Sequence, residues 1–238
     1  MHRLIFLDTE TTGNNLLSDR LFQISYLHGG KIVSEYFLPS LPVSVKAQSI
    51  THVTNKMLLG KSSFSGSSIK SELQELLKEN IVVAHSAQFD LTMLAHENLT
   101  ATQFICTLKV ARFLDEDNKI PEYKLQFLRY YFELEIEATA HSANGDVLVL
   151  EGVFKKLYDL MLESMGDHEA VISKMIEVSS RPSLFKIFTF GKHKGKRVED
   201  VVKTDKSYVE WMLEQKLQND RDDEDWIHTL RHYLKKKS

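Results

Sequence analysis

Four carboxylates and two histidines stand in three short stretches of this 238-residue chain. Asp8 and Glu10 belong to Asp8-Thr9-Glu10-Thr11-Thr12-Gly13, Asp90 to His85-Ser86-Ala87-Gln88-Phe89-Asp90, and Asp146 to His141-Ser142-Ala143-Asn144-Gly145-Asp146. The first two stretches follow apolar runs, residues 4–7 and 81–84, that read as strand cores. Acids gathered at the ends of buried elements repel one another, and a divalent cation between them is the simplest relief. Asp8 and Glu10 are two positions apart, so on an extended strand both side chains leave the same face. Such a pair suits hard cations with oxygen ligands, Mg²⁺ or Mn²⁺. Asp90 falls near the start of a helical stretch, where a carboxylate is also favoured by the helix N-terminus alone. His141 brings a group with an unperturbed pKa of about 6.5, able to take a proton from water near neutral pH.

The pattern around these stretches predicts the elements that must position them. Residues 3–9 read as a central strand, apolar on both faces. Residues 21–27 and 31–38 flank His28-Gly29-Gly30 as a hairpin, so three strands, paired antiparallel, open the chain. Helical spacing then runs over 67–79, with Ile69, Leu73, Leu76 and Leu77 on one face, and over 89–98, 107–114 and 124–132. Short strands are predicted at 81–84 and 103–106. A long helix covers 145–165 and stops before Gly166. Strands first, then alternating helix and strand, predict an α/β fold with a mixed sheet flanked by helices.

The order acid-x-acid, then acid, then His-x-x-x-x-acid resembles the DEDDh family of 3′→5′ exonucleases over roughly residues 4–160. The resemblance implies a ribonuclease H-like architecture and two-metal hydrolysis of phosphodiesters, with two divalent cations, Mg²⁺ or Mn²⁺, clamping the attacking and leaving oxygens. It further implies that Asp8, Glu10 and Asp146 hold one cation, that Asp8 and Asp90 serve the other, and that His141 is the general base. The stretch Thr9–Gly13 would cradle the 3′-terminal nucleotide, making Thr9, Thr11, Thr12 and Gly13 candidate substrate contacts. Ser86 stands where the family most often has Asn, which touches a supporting position and not an acid; His85 is read as a support. The segment 47–54 resembles the family segment between the sheet and the next helix, with Thr51-His52 in place of His-Gly, and is read as a loop that is a candidate for substrate contact.

Ser179-Ser180-Arg181-Pro182-Ser183 reads as a linker. Beyond it, Phe188-Thr189-Phe190-Gly191-Lys192-His193-Lys194-Gly195-Lys196-Arg197 and a helix carrying Tyr208 and Trp211 resemble the small C-terminal domain of exonuclease X-like proteins. The expected organisation is an exonuclease domain over 1–166, a helix and linker over 167–183, and a small α+β accessory domain over 184–238. Lys192, Lys194, Lys196 and Arg197 crowd a glycine-containing turn that can bind phosphate through amides and cations. Phe188 and Phe190 either stack on bases or form the core of the small domain.

Bulk properties set the frame. Apolar content of 42% with 26% charged residues is ordinary for a globular protein. The net charge of −3 argues against simple electrostatic coating of nucleic acid, although residues 167–238 carry 15 Lys+Arg against 13 Asp+Glu while residues 1–166 carry 15 against 20. A single cysteine, Cys106, forbids an internal disulfide and fits a reducing compartment. It is read as a buried thiol without chemistry, and no Cys/His spacing supports zinc. With no secretory leader and no membrane-length apolar run, a cytoplasmic protein is expected. The expected partner is nucleic acid, DNA 3′ ends first. RNA or short oligonucleotides as substrate, a non-catalytic nucleic-acid-binding module, a homodimer, and a subunit serving a DNA-repair or replication partner stay open as alternatives.

Overall fold

The computed structural model describes residues 4–136, 143–218 and 224–235. The chain divides into two compact units: Met1–Leu114 with Glu122–Ser179, and Asp115–Pro121 with Ser180–Ser238.

The first unit is built on β1 (Leu4–Thr11). β2 (Leu21–His28) and β3 (Lys31–Tyr36) follow it as an antiparallel meander. β4 (Ile81–Ala84) and β5 (Phe104–Cys106) add on the other side in parallel, giving the order β3-β2-β1-β4-β5. β1 is therefore central, as its apolar run requires. Its period-two alternation serves two layers. Ile5 and Leu7 face α3 (Ser68–Glu79) and α4 (Ala87–His96) through Leu73, Leu77, Met93 and Leu94, all buried together. Phe6 turns the opposite way and meets Phe154 of α7 (Ala143–Met165) edge-on, ring centroids 5.4 Å apart. β4 pairs only with residues 4–6 of β1, so Asp8 and Glu10 run past its end into the space where α4 begins. In open α/β sheets that end is where ligands bind.

The segment 47–54, read from the sequence as a loop, is instead mostly helical: α1 (Val45–Thr51) ends at His52 in the left-handed region (φ 58°), and α2 (Asn55–Leu58) follows. Ser44 caps α1 by accepting the Ala47 N–H, and its own N–H donates to Thr12 O, which moors the helix to the end of β1. α5 (Thr107–Leu114), α6 (Leu125–Tyr131) and α8 (His168–Ser179) complete the unit, α8 packing on β5, α5 and α7.

The second unit holds α9 (Val198–Thr204), α10 (Lys206–Gln218) and α11 (Glu224–Lys235) around one antiparallel bridge, Ile187 to Arg197. Its core joins Phe188, Val198, Val201, Val209, Met212, Trp226 and Leu230. Phe188 is fully buried and stacked on Trp226, with centroids 5.4 Å apart at 15°. Of the two roles open to Phe188, its place is the core one. No described helix is long and apolar enough to cross a membrane.

Candidate active site

Because Phe6, Asp8 and Glu10 share one face of β1, the face that buries Phe6 against α7 also presents both acids to that helix's first turn. Asp146 waits there. Asp8, Glu10 and Asp146 each offer a carboxylate oxygen, and these oxygens lie within 4.8 Å of one another. Thr9 points the other way, toward α4. Its N–H and its hydroxyl both donate to Asp90 Oδ1, at 3.0 and 2.7 Å. Asp90 sits in the first turn of α4 and is 3% exposed. The strand thus carries two acids on one face and grips another with the other.

The electrostatics are those of crowded anions. Burial, then the charges of Asp90, Glu10 and Asp146, hold the Asp8 carboxyl well above the usual range. Burial and the charges of Asp146 and Asp90 push Glu10 up to about 7. Burial raises Asp90 to about 7 against the pull of its Thr9 hydrogen bonds. An all-oxygen donor set, unwilling to ionise unaided, fits a hard divalent cation and not zinc in a thiolate site.

One participant was invisible in the sequence. Gln126 of α6 donates from Nε2 to Asp146 Oδ1 at 2.6 Å, and its buried Oε1 finds no partner among the described residues. A polar residue between Leu125 and Leu128 was the only signal. The contact fixes the rotamer of Asp146, so Gln126→Leu is expected to weaken Mn²⁺ binding by about 10- to 100-fold, the usual effect of losing a group that orients a ligand. Calorimetric titration giving a wild-type Kd would remove Gln126 from this role.

His85 is a brace. Its Nε2 lies 2.8 Å from Tyr123 O, which can only accept, so Nε2 carries the proton and Nδ1 accepts from Thr107 Oγ1 at 2.8 Å. Burial lowers its pKa to about 4, keeping the ring neutral. Ser86, next in line, is the N-cap of α4 at φ 62°, ψ 44°. Asn enters that left-handed region more readily than Ser. Ser86→Asn is expected to stabilise the protein by up to about 1 kcal/mol, read as a higher urea midpoint; an unchanged or lower midpoint would count against this account.

The hydroxyls of the first motif are engaged inside the protein. Besides Thr9 on Asp90, Thr11 Oγ1 donates to Gly13 O, and Thr12 Oγ1 donates to Asp19 Oδ1 at 2.6 Å. Asp19 also fills the space beside Gly13, where a Cβ would lie 2.5 Å from Asp19 Oδ2. A side chain at position 13 would therefore have to push the Asp19 carboxylate off Thr12 and off the Asn15 N–H that it accepts.

His141 lies outside the described residues. Lys192, Lys194, Lys196 and Arg197 are exposed on the turn of the second unit. Lys192 Nζ and His193 Nε2 both reach Asp205 Oδ2 at 2.8 Å, which holds the Asp205 carboxyl below its usual range. Cys106 is buried, its N–H bonded to Ser179 Oγ. Among the described residues, Asp8, Glu10 and Asp146 form the one group with metal-ligand geometry.

Comparison with known proteins identifies the family. A family model described as Exonuclease matches residues 5–154, and one described as Exodeoxyribonuclease X-like C-terminal matches residues 188–216. Exodeoxyribonuclease 10 of Escherichia coli (strain K12) is 29% identical, covering 97% of this chain and 98% of its own. DNA polymerase III subunit epsilon of Treponema pallidum is 30% identical over 62% of this chain and 72% of its own. A solved structure of exonuclease X in complex with 5′ overhanging duplex DNA matches with a TM-score of 0.57 at 23% identity, covering 74% of this chain and 99% of that one. An exonuclease I–ssDNA complex from E. coli gives 0.56 at 16% identity, over 73% of this chain and 43% of that one. These likenesses show the ribonuclease H-like fold.

Proposed function

Because the chain belongs to the exonuclease family, we propose that it hydrolyses DNA from the 3′ end to nucleoside 5′-monophosphates, with Asp8, Glu10, Asp90 and Asp146 as its metal ligands. The observation that carries this reading is the convergence of three carboxylate oxygens within 4.8 Å of one another at the end of the central strand. Two divalent cations, Mg²⁺ or Mn²⁺, would supply Lewis acidity there, easing ionisation of water and offsetting charge on the leaving 3′-oxygen. Asp8, Glu10 and Asp146 would hold one; Asp8 would also reach the other, with Asp90 supporting it. Thr9 keeps Asp90 aimed by its paired hydrogen bonds. His141 takes the proton of the attacking water as the new O–P bond forms and the bond to the 3′-oxygen breaks. The backbone of Thr9, Thr11, Thr12 and Gly13 receives the terminal nucleotide, and Asp19 and Ser44 stiffen that stretch. Lys192, Lys194, Lys196 and Arg197 contribute contacts to the strand's phosphates. The buried lone cysteine fits the cytoplasm.

The test is end dependence. A blocked 3′ terminus is expected to stop Mg²⁺-dependent release of mononucleotides, and a blocked 5′ terminus to leave it intact. Cleavage of a closed circular single strand at a comparable rate would mean endonuclease action and overturn the assignment.

A further inference from the structure

The chain has two tryptophans, and the second unit treats them oppositely. Trp226 is 7% exposed and packed among Phe185, Phe188 and Phe190. Trp211, on α10, is 53% exposed, and its ring meets Tyr208 at 5.7 Å. Tyr208 in turn lies beneath the basic turn. Gly191 sits at φ +73°, and a Cβ there would be 2.6 Å from the Tyr208 hydroxyl, so the absence of a side chain lets the turn rest directly on the tyrosine. Lys192 Nζ stands 5.9 Å from the same ring's centroid while paired with Asp205. An exposed indole, a supporting phenol and an ordered ammonium therefore follow one another across this face. Lys194, Lys196 and Arg197 are exposed farther along the turn. Of the acids on the same helix, Glu210 is paired with Lys206 at 3.0 Å, and Glu214 stands one turn beyond Trp211.

We infer that Trp211 is a base-stacking contact for single-stranded nucleic acid, with Lys194, Lys196 and Arg197 taking the adjacent phosphates. A large aromatic left half in water, packed on a tyrosine whose ring a lysine ammonium overlies, matches what a sugar–phosphate strand presents: apolar base faces alternating with anions. A protein partner would instead favour an apolar surround that shuts out water. The inference deepens the exonuclease reading and rests on it for the class of ligand. It also moves stacking from Phe188, whose ring the core has taken, to a ring that solvent reaches.

The experiment uses the full chain in EDTA, so that DNA is bound but not cut, titrated with a single-stranded 20-mer while tryptophan emission is followed. In Trp226→Phe the signal comes from Trp211 alone and is expected to be quenched saturably. If that variant does not fold by circular dichroism, the same titration of Trp211→Phe in the Trp226 background is expected to lose the quenching seen in wild type. Trp211→Ala is expected to raise the Kd for the 20-mer by about 5- to 100-fold, as for one lost base stack, with an unchanged circular dichroism spectrum. Trp211→Phe should recover most of that affinity, which a merely structural role for bulk would not separate from leucine; Trp211→Leu should not recover it. Absent quenching, an unchanged Kd in Trp211→Ala, or equal quenching by polyglutamate would overturn the inference, the last by showing a general acidic-partner surface. Failure of the wild-type protein to release mononucleotides in Mg²⁺ would instead strike the exonuclease reading and leave these binding outcomes standing.

Discussion

Asp8→Ala is expected to abolish hydrolysis and, in the same protein stripped of metal, to raise thermal stability. The two effects share one cause. Asp8 lies among Asp90, Glu10 and Asp146, all resisting its ionisation. Stabilisation of transition-state charge by bound metal is worth several kcal/mol, so activity should fall by far more than tenfold; residual turnover above about a tenth of wild type would refute the ligand assignment. The pH dependence follows from the sign of the shifts. Glu10 and Asp90 are raised to about 7 in the folded protein, so below that pH the metal-free fold retains protons that the unfolded chain releases. Stability is then lost as pH rises from the ordinary carboxylate range through about 7, and stays lost above it. Melting in EDTA across that window should show a falling Tm for wild type, a shallower fall for Asp8→Ala, and recovery of the wild-type protein by Mn²⁺. A Tm that rises with pH in EDTA would mean that the acids are not in mutual conflict.

His141→Ala is expected to lower turnover by roughly two to four orders of magnitude, the range for loss of a general base. A base must be unprotonated to act. An unperturbed imidazole has a pKa of about 6.5, so a histidine base gives the pH–rate profile an acidic limb that the variant should lose. Calorimetric affinity for Mn²⁺ should survive, because the role moves a proton and contributes no ligand. Loss of Mn²⁺ binding in this variant would place the imidazole in the metal site and end its assignment as the base.

How far such a chain can be read depends on whether a residue's job is written in its own neighbourhood. β1 was legible because an apolar run and two acids spaced by two are both local signals, and period-two geometry links them without further knowledge. α3 and α5 were legible for the same reason, with buried residues at helical spacing. α1 was not: Val45 and Ile50 are exposed, so no apolar stripe marks it, and only the Ser44 cap announces it. Gln126 was hidden because its partner is 20 positions away and nothing near it hints at an acid. The threonines of the first motif are candidate substrate contacts through backbone or hydroxyl, and sequence does not disclose that Asp90 and Asp19 have claimed two of their hydroxyls. Phe188 and Phe190 look alike in sequence, yet one is wholly interior and the other 38% exposed.

The alternation Asp8-Thr9-Glu10-Thr11 makes β1 intolerant of insertions and deletions in a way no other strand of the sheet shares. Slipping a strand by one residue sends every side chain to the opposite face. In β1 that slip would set threonine hydroxyls before α7 and drive both carboxylates into the layer of Leu73, Met93 and Leu94, while depriving Asp90 of the hydroxyl that grips it. The apolar positions would survive the exchange well, because residues 4–7 are apolar on both faces. Indels between residues 4 and 10 should therefore be found among folded, metal-blind descendants of this sequence, whereas length changes in the 14–18 stretch beyond Gly13 should be compatible with activity wherever Asp19 still reaches Thr12.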